Sequence, residues 1–247
     1  MKNEIAKTLL PARIYEQLRR RKYRKLKSNV YSCKVFEEKK AVFIHIPKCA
    51  GISTNQTLFG NLGGGHRTLE EYVELFGEDR LSEYFKFTIV RNPWDRLVSA
   101  YFFLKKGGLN ETNRLWFDKE LGIYDGFDDF VLNWVNETNI WKTQHFRPQV
   151  HYIIDPQNRV QLDFIGYLEN INEDFAMIAK RVGVRRRLPA HNKSSHTAYT
   201  EYYTDDARER VANVYAKDIK LLGYNFDNSS LPNQLKNRPL TDDASSR

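Results

Sequence analysis

The sequence predicts an α/β fold: a single domain with a central parallel sheet flanked by helices, carrying a P-loop-like strand-loop-helix nucleotide site. Three observations predict it. Short apolar runs at AVFIHI (41–46), FKFTIV (85–90) and DFIGYL (163–168) have the length and composition of strands buried on both faces. Helical patterns lie between and after these runs, and such alternation implies right-handed crossovers and a parallel sheet. The length, 247 residues, holds one full-sized α/β domain but not two together with the polar ends.

The first element expected is a helix over 4–27, interrupted near Pro11 and ending in the basic run 19–27, Arg-Arg-Arg-Lys-Tyr-Arg-Lys-Leu-Lys. Such a run is either a solvated face or a tail that touches a membrane or polyanion. The boundaries that follow are a basic helical extension at 1–40, a folded domain at 41–226, and a polar tail at 227–247 too poor in apolar residues to bury a core. Within the domain, Trp94, Leu97, Val98, Tyr101 and Phe102 follow helical spacing, which predicts a helix with one face on the sheet. Helices are also expected at Ile171–Val182 and over 205–222.

Composition bounds the function. A hydrophobic content of 41% supports a core, while 28% charged residues and a mean hydropathy of −0.63 support a soluble surface, so a disordered chain is excluded. A formal charge of +8 favours anionic ligands. Of the two cysteines, Cys49 falls inside the ligand loop argued below, so a disulfide with Cys33 is not expected and a reducing compartment is. No window has the apolar length to span a bilayer, which predicts a cytoplasmic protein that at most touches a membrane from that side through 19–27.

The chemistry concentrates in two segments. After AVFIHI comes Pro47-Lys48-Cys49-Ala50-Gly51-Ile52-Ser53-Thr54, leading into a helix to about Phe59. Ligands of parallel sheets gather at the carboxyl ends of strands, where the next helix offers unpaired amides and a partial positive charge to an anion. Lys48 adds a point charge, Gly51 lets the backbone approach the anion, and Ser53 or Thr54 can donate a hydroxyl. The bland alternative is an ordinary strand-to-helix turn with a serine cap. The pattern is not the Walker A loop, because Lys48 precedes Gly51 and the strand at 85–90 ends in Arg91 where an aspartate would hold magnesium. A donor that requires no metal is the better reading. In the second segment, FTIVRNPWDRLVS, Asn92 suits a helix cap and Pro93 the first helical position, leaving Arg91 at the strand's carboxyl end with Ser99 two turns into the helix. The bland reading of this pair is a surface arginine and a buried serine.

HIPKCAGIS and FTIVRNPWDRLVSAYFF together resemble the sulfotransferase superfamily, in the branch that holds carbohydrate sulfotransferases and many bacterial relatives. Weaker similarity at QHFRPQ (144–149), DFIGYLEN (163–170) and LPAHNKS (188–194) extends the match over nearly all of 41–226, which the resemblance makes a sulfotransferase domain. The resemblance implies 3′-phosphoadenosine 5′-phosphosulfate (PAPS) as donor and PAP as product. By residue matching, Lys48, Cys49, Ala50, Gly51, Ile52, Ser53 and Thr54 take the 5′-phosphosulfate, Arg91 and Ser99 the 3′-phosphate, and Lys193 closes over the phosphates.

Sulfuryl transfer needs charge neutralised on the leaving oxygen, for which Lys48 is the candidate, and a base for the acceptor hydroxyl. His66 follows three glycines and precedes a Thr68-x-x-Glu71 capping box, and related enzymes place a catalytic histidine in this interval, so it is the expected base. His145 is the reserve, and His45 is expected to be packed inside its strand. His145 and Arg147, with Trp141 and Tyr152 nearby, are expected to line the acceptor site. The acceptor expected from the resemblance is a hydroxyl-bearing glycan or glycolipid. Two rival classes are a nucleotide kinase or NTPase, disfavoured by the lysine order, and a non-catalytic polyanion binder. No nucleic-acid-binding motif accompanies the basic charge, so nucleic acid is not an expected partner.

Overall fold

A computed structural model describes residues 14, 30–155, 157–189 and 198–238. Apart from Ile14, the expected helix over 4–27 with its basic run lies outside the described residues, as do Lys193 and 239–247.

Strands β1 (Ala41–Ile44), β2 (Phe85–Val90) and β3 (Phe164–Tyr167) form a parallel sheet with β2 in the middle. All three expected runs are strands, with the first ending two residues early, at Ile44 rather than Ile46, and the third one residue shorter at each end. Ala41 pairs with Phe85 and Phe87 with Phe164. Inside the sheet the Thr88 hydroxyl donates to the Ile44 carbonyl at 2.7 Å, which satisfies a polar group in an otherwise apolar layer. Where β2 and β3 begin, the Asp163 carboxylate accepts the Lys86 backbone N–H at 2.7 Å while the Asp163 N–H donates to the Lys86 carbonyl at 2.8 Å.

Around the sheet run α1 (Lys34–Lys39), α2 (Gly51–Phe59), α3 (Leu69–Phe76), α4 (Glu78–Ser82), α5 (Pro93–Lys105), α6 (Glu111–Glu120), α7 (Gly126–Asn133), α8 (Val150–Ile153), α9 (Ile171–Val182), α10 (Asp205–Val214), α11 (Ala216–Leu222) and α12 (Leu231–Asn237). The helix expected to follow the loop 47–54 already begins at Gly51, so Gly51–Thr54 form its first turn, while those expected after Asn92 and at Ile171–Val182 form where anticipated. The one expected over 205–222 breaks at Tyr215, whose hydroxyl is drawn to the Phe146 carbonyl at 2.7 Å.

The apolar face of α5 does not pack on the sheet as expected. Trp94, Leu97, Val98, Tyr101 and Leu104 belong to a second core, with Phe117, Phe127, Phe130, Trp134 and Phe146, distinct from the sheet core of Phe43, Phe87, Phe164 and Phe175. Aromatic residues on α6 and α7 supply enough surface for α5 to bury its stripe among helices, with the Tyr101 and Phe130 rings stacked at 4.9 Å.

The folded unit also runs wider than 41–226. Cys33 and Phe36 are fully buried in the sheet core, so part of the expected extension is core. Beyond 226, Gln234 of α12 donates to the Leu222 carbonyl at 2.8 Å, and Arg238 forms an ion pair with the buried Asp174. Leu231 and Leu235 of α12 also pack against the sheet core, so the segment docks by apolar as well as polar contacts.

Candidate functional site

Because β1 and β2 are parallel neighbours, the loop after β1 and the turn after β2 emerge side by side at one end of the sheet. Lys48 and Ala50 both hold left-handed backbone (φ 72° and 55°), a conformation costly for residues with a side chain. That backbone turns the chain sharply into α2, whose cap residue is Ala50. Alanine offers no side-chain oxygen, and the first helical hydrogen bond closes only at the Thr54 N–H, to the Ala50 carbonyl at 3.1 Å. Thr68, Asn92, Asn110 and Thr204 each accept a backbone N–H at the start of their own helix, whereas α2 shares the lack of a side-chain cap with helices such as α1 and α9. The leading amides of α2 are thus left for an anion.

Gly51 has a steric reason besides the expected one. A Cβ at this position would lie 1.7 Å from Cδ2 of His45, so the glycine makes room for an imidazole. His45 itself is buried and stacked on Phe43 at 5.7 Å, as its place in the strand run implied. Thr54 is also fully buried, and its hydroxyl has no partner among the described residues, whereas Ser53 is half-buried. The hydroxyl open to solvent at this helix start is therefore that of Ser53. Cys49 is buried, and burial pushes its thiol up to about 12, so it stays protonated and unreactive. Ile52 is exposed.

Arg91 sits at the tip of β2, as expected. Its guanidinium forms a two-point pair with Asp95 at 2.7 and 2.8 Å and also donates to the Lys48 carbonyl at 3.2 Å, joining the two loops. Burial pulls against its charge, but the Asp95 carboxylate outweighs this and raises its pKa. Ser99, half-buried, lies one turn beyond Asp95 on the same stripe of α5. Asn92 caps α5 through the Trp94 N–H at 3.0 Å, and Pro93 occupies the first helical position, both as expected.

Lys48 extends over the Phe103 ring, with Nζ 3.8 Å from its centroid. Burial, then the neighbouring Arg91 cation, lowers the Lys48 ammonium to about 8. Phe103 also meets His145, ring to ring at 5.2 Å. His145 is buried, and burial with the nearby His66 and Lys48 holds its pKa at about 3, so the imidazole is neutral.

His66 leaves a glycine turn in which a Cβ at Gly64, whose φ is +70°, would strike the Tyr72 hydroxyl. Two residues later the expected capping box forms, with the Glu71 N–H on the Thr68 hydroxyl at 3.2 Å and the Thr68 N–H on Glu71 at 2.9 Å. The ring lies 4.2 Å from that of His45, and Nδ1 donates to the His45 carbonyl at 2.9 Å. A carbonyl only accepts, so the proton resides on Nδ1 and Nε2 carries the lone pair. Burial lowers the His66 pKa, which keeps that lone pair available at neutral pH.

The segment holding His145 is shaped by Arg96, a buried cation that donates to the carbonyls of His145 at 3.1 Å and Arg147 at 2.6 Å. Arg147 is half-buried and Trp141 exposed, while Tyr152 is buried with its hydroxyl on the Gln144 carbonyl at 3.1 Å, a packing role. Phe103, Arg96, Gln149 and Asp95 were not among the expected site residues. Asp95 alone carries a local signal, four positions after Arg91 on one helix face.

The model of the sulfotransferase family matches residues 31–225, most of the chain. Over 239 aligned residues the chain is 23% identical to carbohydrate sulfotransferase 10 of Gallus gallus, covering 77% of this chain and 65% of that protein. It is 27% identical to carbohydrate sulfotransferase 11 of Rattus norvegicus over 195 residues, or 69% of this chain and 54% of that one. A 113-residue stretch is 32% identical to an uncharacterized protein of Archaeoglobus fulgidus, covering 45% of this chain and 78% of the other. The chain spans between half and two thirds of the length of the carbohydrate sulfotransferases it matches. No solved structure matches it. The lysine loop, the arginine-tipped second strand and a family match that runs from before β1 to beyond α11 agree: the chain belongs to the sulfotransferase family.

Proposed function

We propose that this protein transfers a sulfuryl group from PAPS to a hydroxyl of a carbohydrate acceptor. The observation that carries this reading is the convergence of Lys48 and Arg91, from two adjacent loops, beside the uncapped start of α2 and the neutral imidazole of His66. Two cationic groups and a set of unpaired amides fit a donor that is phosphorylated at two places. The amides of Gly51 to Ser53 and Lys48 hold the 5′ end, and Arg91 with Ser99 holds the 3′-phosphate. When bound, the donor supplies a sulfuryl group whose bond to a phosphate oxygen breaks as the bond to the acceptor oxygen forms.

The chain's own residues do the rest. His66 Nε2 accepts the proton of the acceptor hydroxyl, its Nδ1–H fixed on the His45 carbonyl. Lys48 supplies positive charge to the leaving phosphate oxygen. His145 and Arg147 orient the acceptor. The carbohydrate class is supported by the names of the curated relatives, carbohydrate sulfotransferases 10 and 11. The free thiols Cys33 and Cys49 suit the cytoplasm as the place of action.

The test is calorimetric titration with adenosine 3′,5′-bisphosphate and with magnesium ATP, followed by transfer of radiolabelled sulfate from PAPS to a panel of glycans. Tight binding of the bisphosphate, weak binding of ATP, and label on a glycan are expected. Lys48→Met should lower turnover by about 10² to 10³-fold, in line with the loss of one charge-stabilising group. ATP binding as tight as that of the bisphosphate, or no label on any hydroxyl acceptor, would overturn the reading.

A further inference from the structure

Gln149 is completely buried between the two cationic loops, on the segment that also carries His145 and Arg147. Its side chain makes an unusual pairing with the backbone of one residue. Oε1 accepts the Arg91 N–H at 3.0 Å, and Nε2 donates to the Arg91 carbonyl at 2.8 Å. Strand β2 ends at Val90, which pairs with Tyr167, so Arg91 stands one residue past the end of the ladder. The glutamine amide supplies the two bonds that a neighbouring strand would otherwise supply.

The same Oε1 receives the Cys49 thiol at 3.5 Å, so one amide touches both loops. Arg91 in turn donates to the Lys48 carbonyl. Gln149 is itself fixed from behind, because the fully buried Asp218 accepts the N–H of Gln149 at 2.8 Å and that of Val150 at 2.9 Å. The chain of contacts runs from α11 through Gln149 to the loops that bear Arg91 and Lys48.

We propose that Gln149 is a positioning residue that sets Arg91 relative to Lys48, so that the two phosphorylated ends of the donor meet cations held at one fixed spacing. The inference rests on the function proposed above. The position requires one acceptor and one donor at the spacing of a primary amide. Methionine has neither. An ionised glutamate has no donor and sets an anion against the Arg91 carbonyl, whereas a protonated glutamate restores the amide's pattern with its O–H.

The experiment is calorimetric titration of adenosine 3′,5′-bisphosphate into the wild-type protein, Gln149→Met and Gln149→Glu at pH 5.5 and pH 8, with melting temperatures measured alongside. The expected result is an affinity at least ~10-fold weaker for Gln149→Met, since small misplacements of binding groups carry penalties of this order or more. For Gln149→Glu, the loss should be present at pH 8 and shrink toward the wild-type value at pH 5.5. A residue that only holds up the fold would lower the melting temperature or the fraction of binding-competent protein, leaving the Kd of that fraction unchanged, and this outcome overturns the proposal. Should Gln149→Met not fold, Gln149→Glu decides alone: a Kd equal to wild type at both pH values also overturns it. Failure of the wild-type protein to bind the bisphosphate would instead overturn the proposed function.

Discussion

Lys48 Nζ lies 3.8 Å from the centre of the Phe103 ring, so the charge assigned to the leaving group rests on a face of π electrons contributed by α5. The ring holds the ammonium at a buried position without neutralising it, as a carboxylate would. Phe103→Leu should keep the fold and lower kcat/KM about fivefold, from the loss of roughly 1 kcal/mol of cation–π attraction. Steady-state kinetics at saturating acceptor checks this, and an unchanged kcat/KM would separate Lys48 from the ring in function.

The pH profile follows from two shifts. In the proposed reaction His66 is a base only when deprotonated, and burial lowers its pKa, so kcat/KM should rise with pH through a midpoint below the ordinary 6.5. The role proposed for Lys48 requires its proton, so kcat/KM should fall as pH passes about 8. His66→Ala should remove the acid limb and leave the basic one. Lys48→Arg should move the basic limb upward out of range, because a guanidinium keeps its proton.

Gly51→Ala would drive a methyl group into the His45 ring, with the nearest ring atom 1.7 Å from the new Cβ. A loss of about 1–3 kcal/mol or more is expected from such overpacking. Since His45 is the obstacle, Gly51→Ala combined with His45→Ala should be less destabilised than the sum of the single variants. Chemical denaturation of the four proteins measures the coupling, and strict additivity would show that the glycine serves something other than the imidazole.

Arg238 pairs with a completely buried Asp174, whose other bonds come from the Tyr167 N–H at 2.7 Å and the Asn170 amide at 2.8 Å. Arg238→Met would leave a buried carboxylate without its cation, at a cost of about 3–5 kcal/mol. Urea unfolding should show a lower midpoint with little change in slope.

How far the residues speak before they are folded differs from element to element. Strand β2 was legible to the residue because the apolar run FKFTIV is followed, after Arg91, by the Asn-Pro pair that opens a helix. The capping box at Thr68 and the cap at Asn92 were legible because their chemistry spans only two or three positions. Gln149, Arg96 and Phe103 were not, since their partners lie far along the chain; Gln149 and Arg91 are 58 positions apart. The His45 ring that also demands a glycine at position 51 was not legible, because only the folded turn after β1 brings the two residues together. The break at Tyr215 was hidden too, as helical spacing continues through it while its hydroxyl bonds the Phe146 carbonyl, 69 positions away.

The side chain of Asn92 bears on the order in which the protein matures. Its amide nitrogen reaches the Asn225 carbonyl at 2.9 Å and the Asn228 side chain at 2.7 Å, more than 130 positions downstream. On a ribosome those partners emerge long after Asn92 itself. A nascent chain carrying both cationic loops therefore still lacks the clasp on the turn that bears Arg91. Ligand affinity should accordingly appear late in synthesis, with the arrival of a polar strip that straddles the expected boundary between domain and tail.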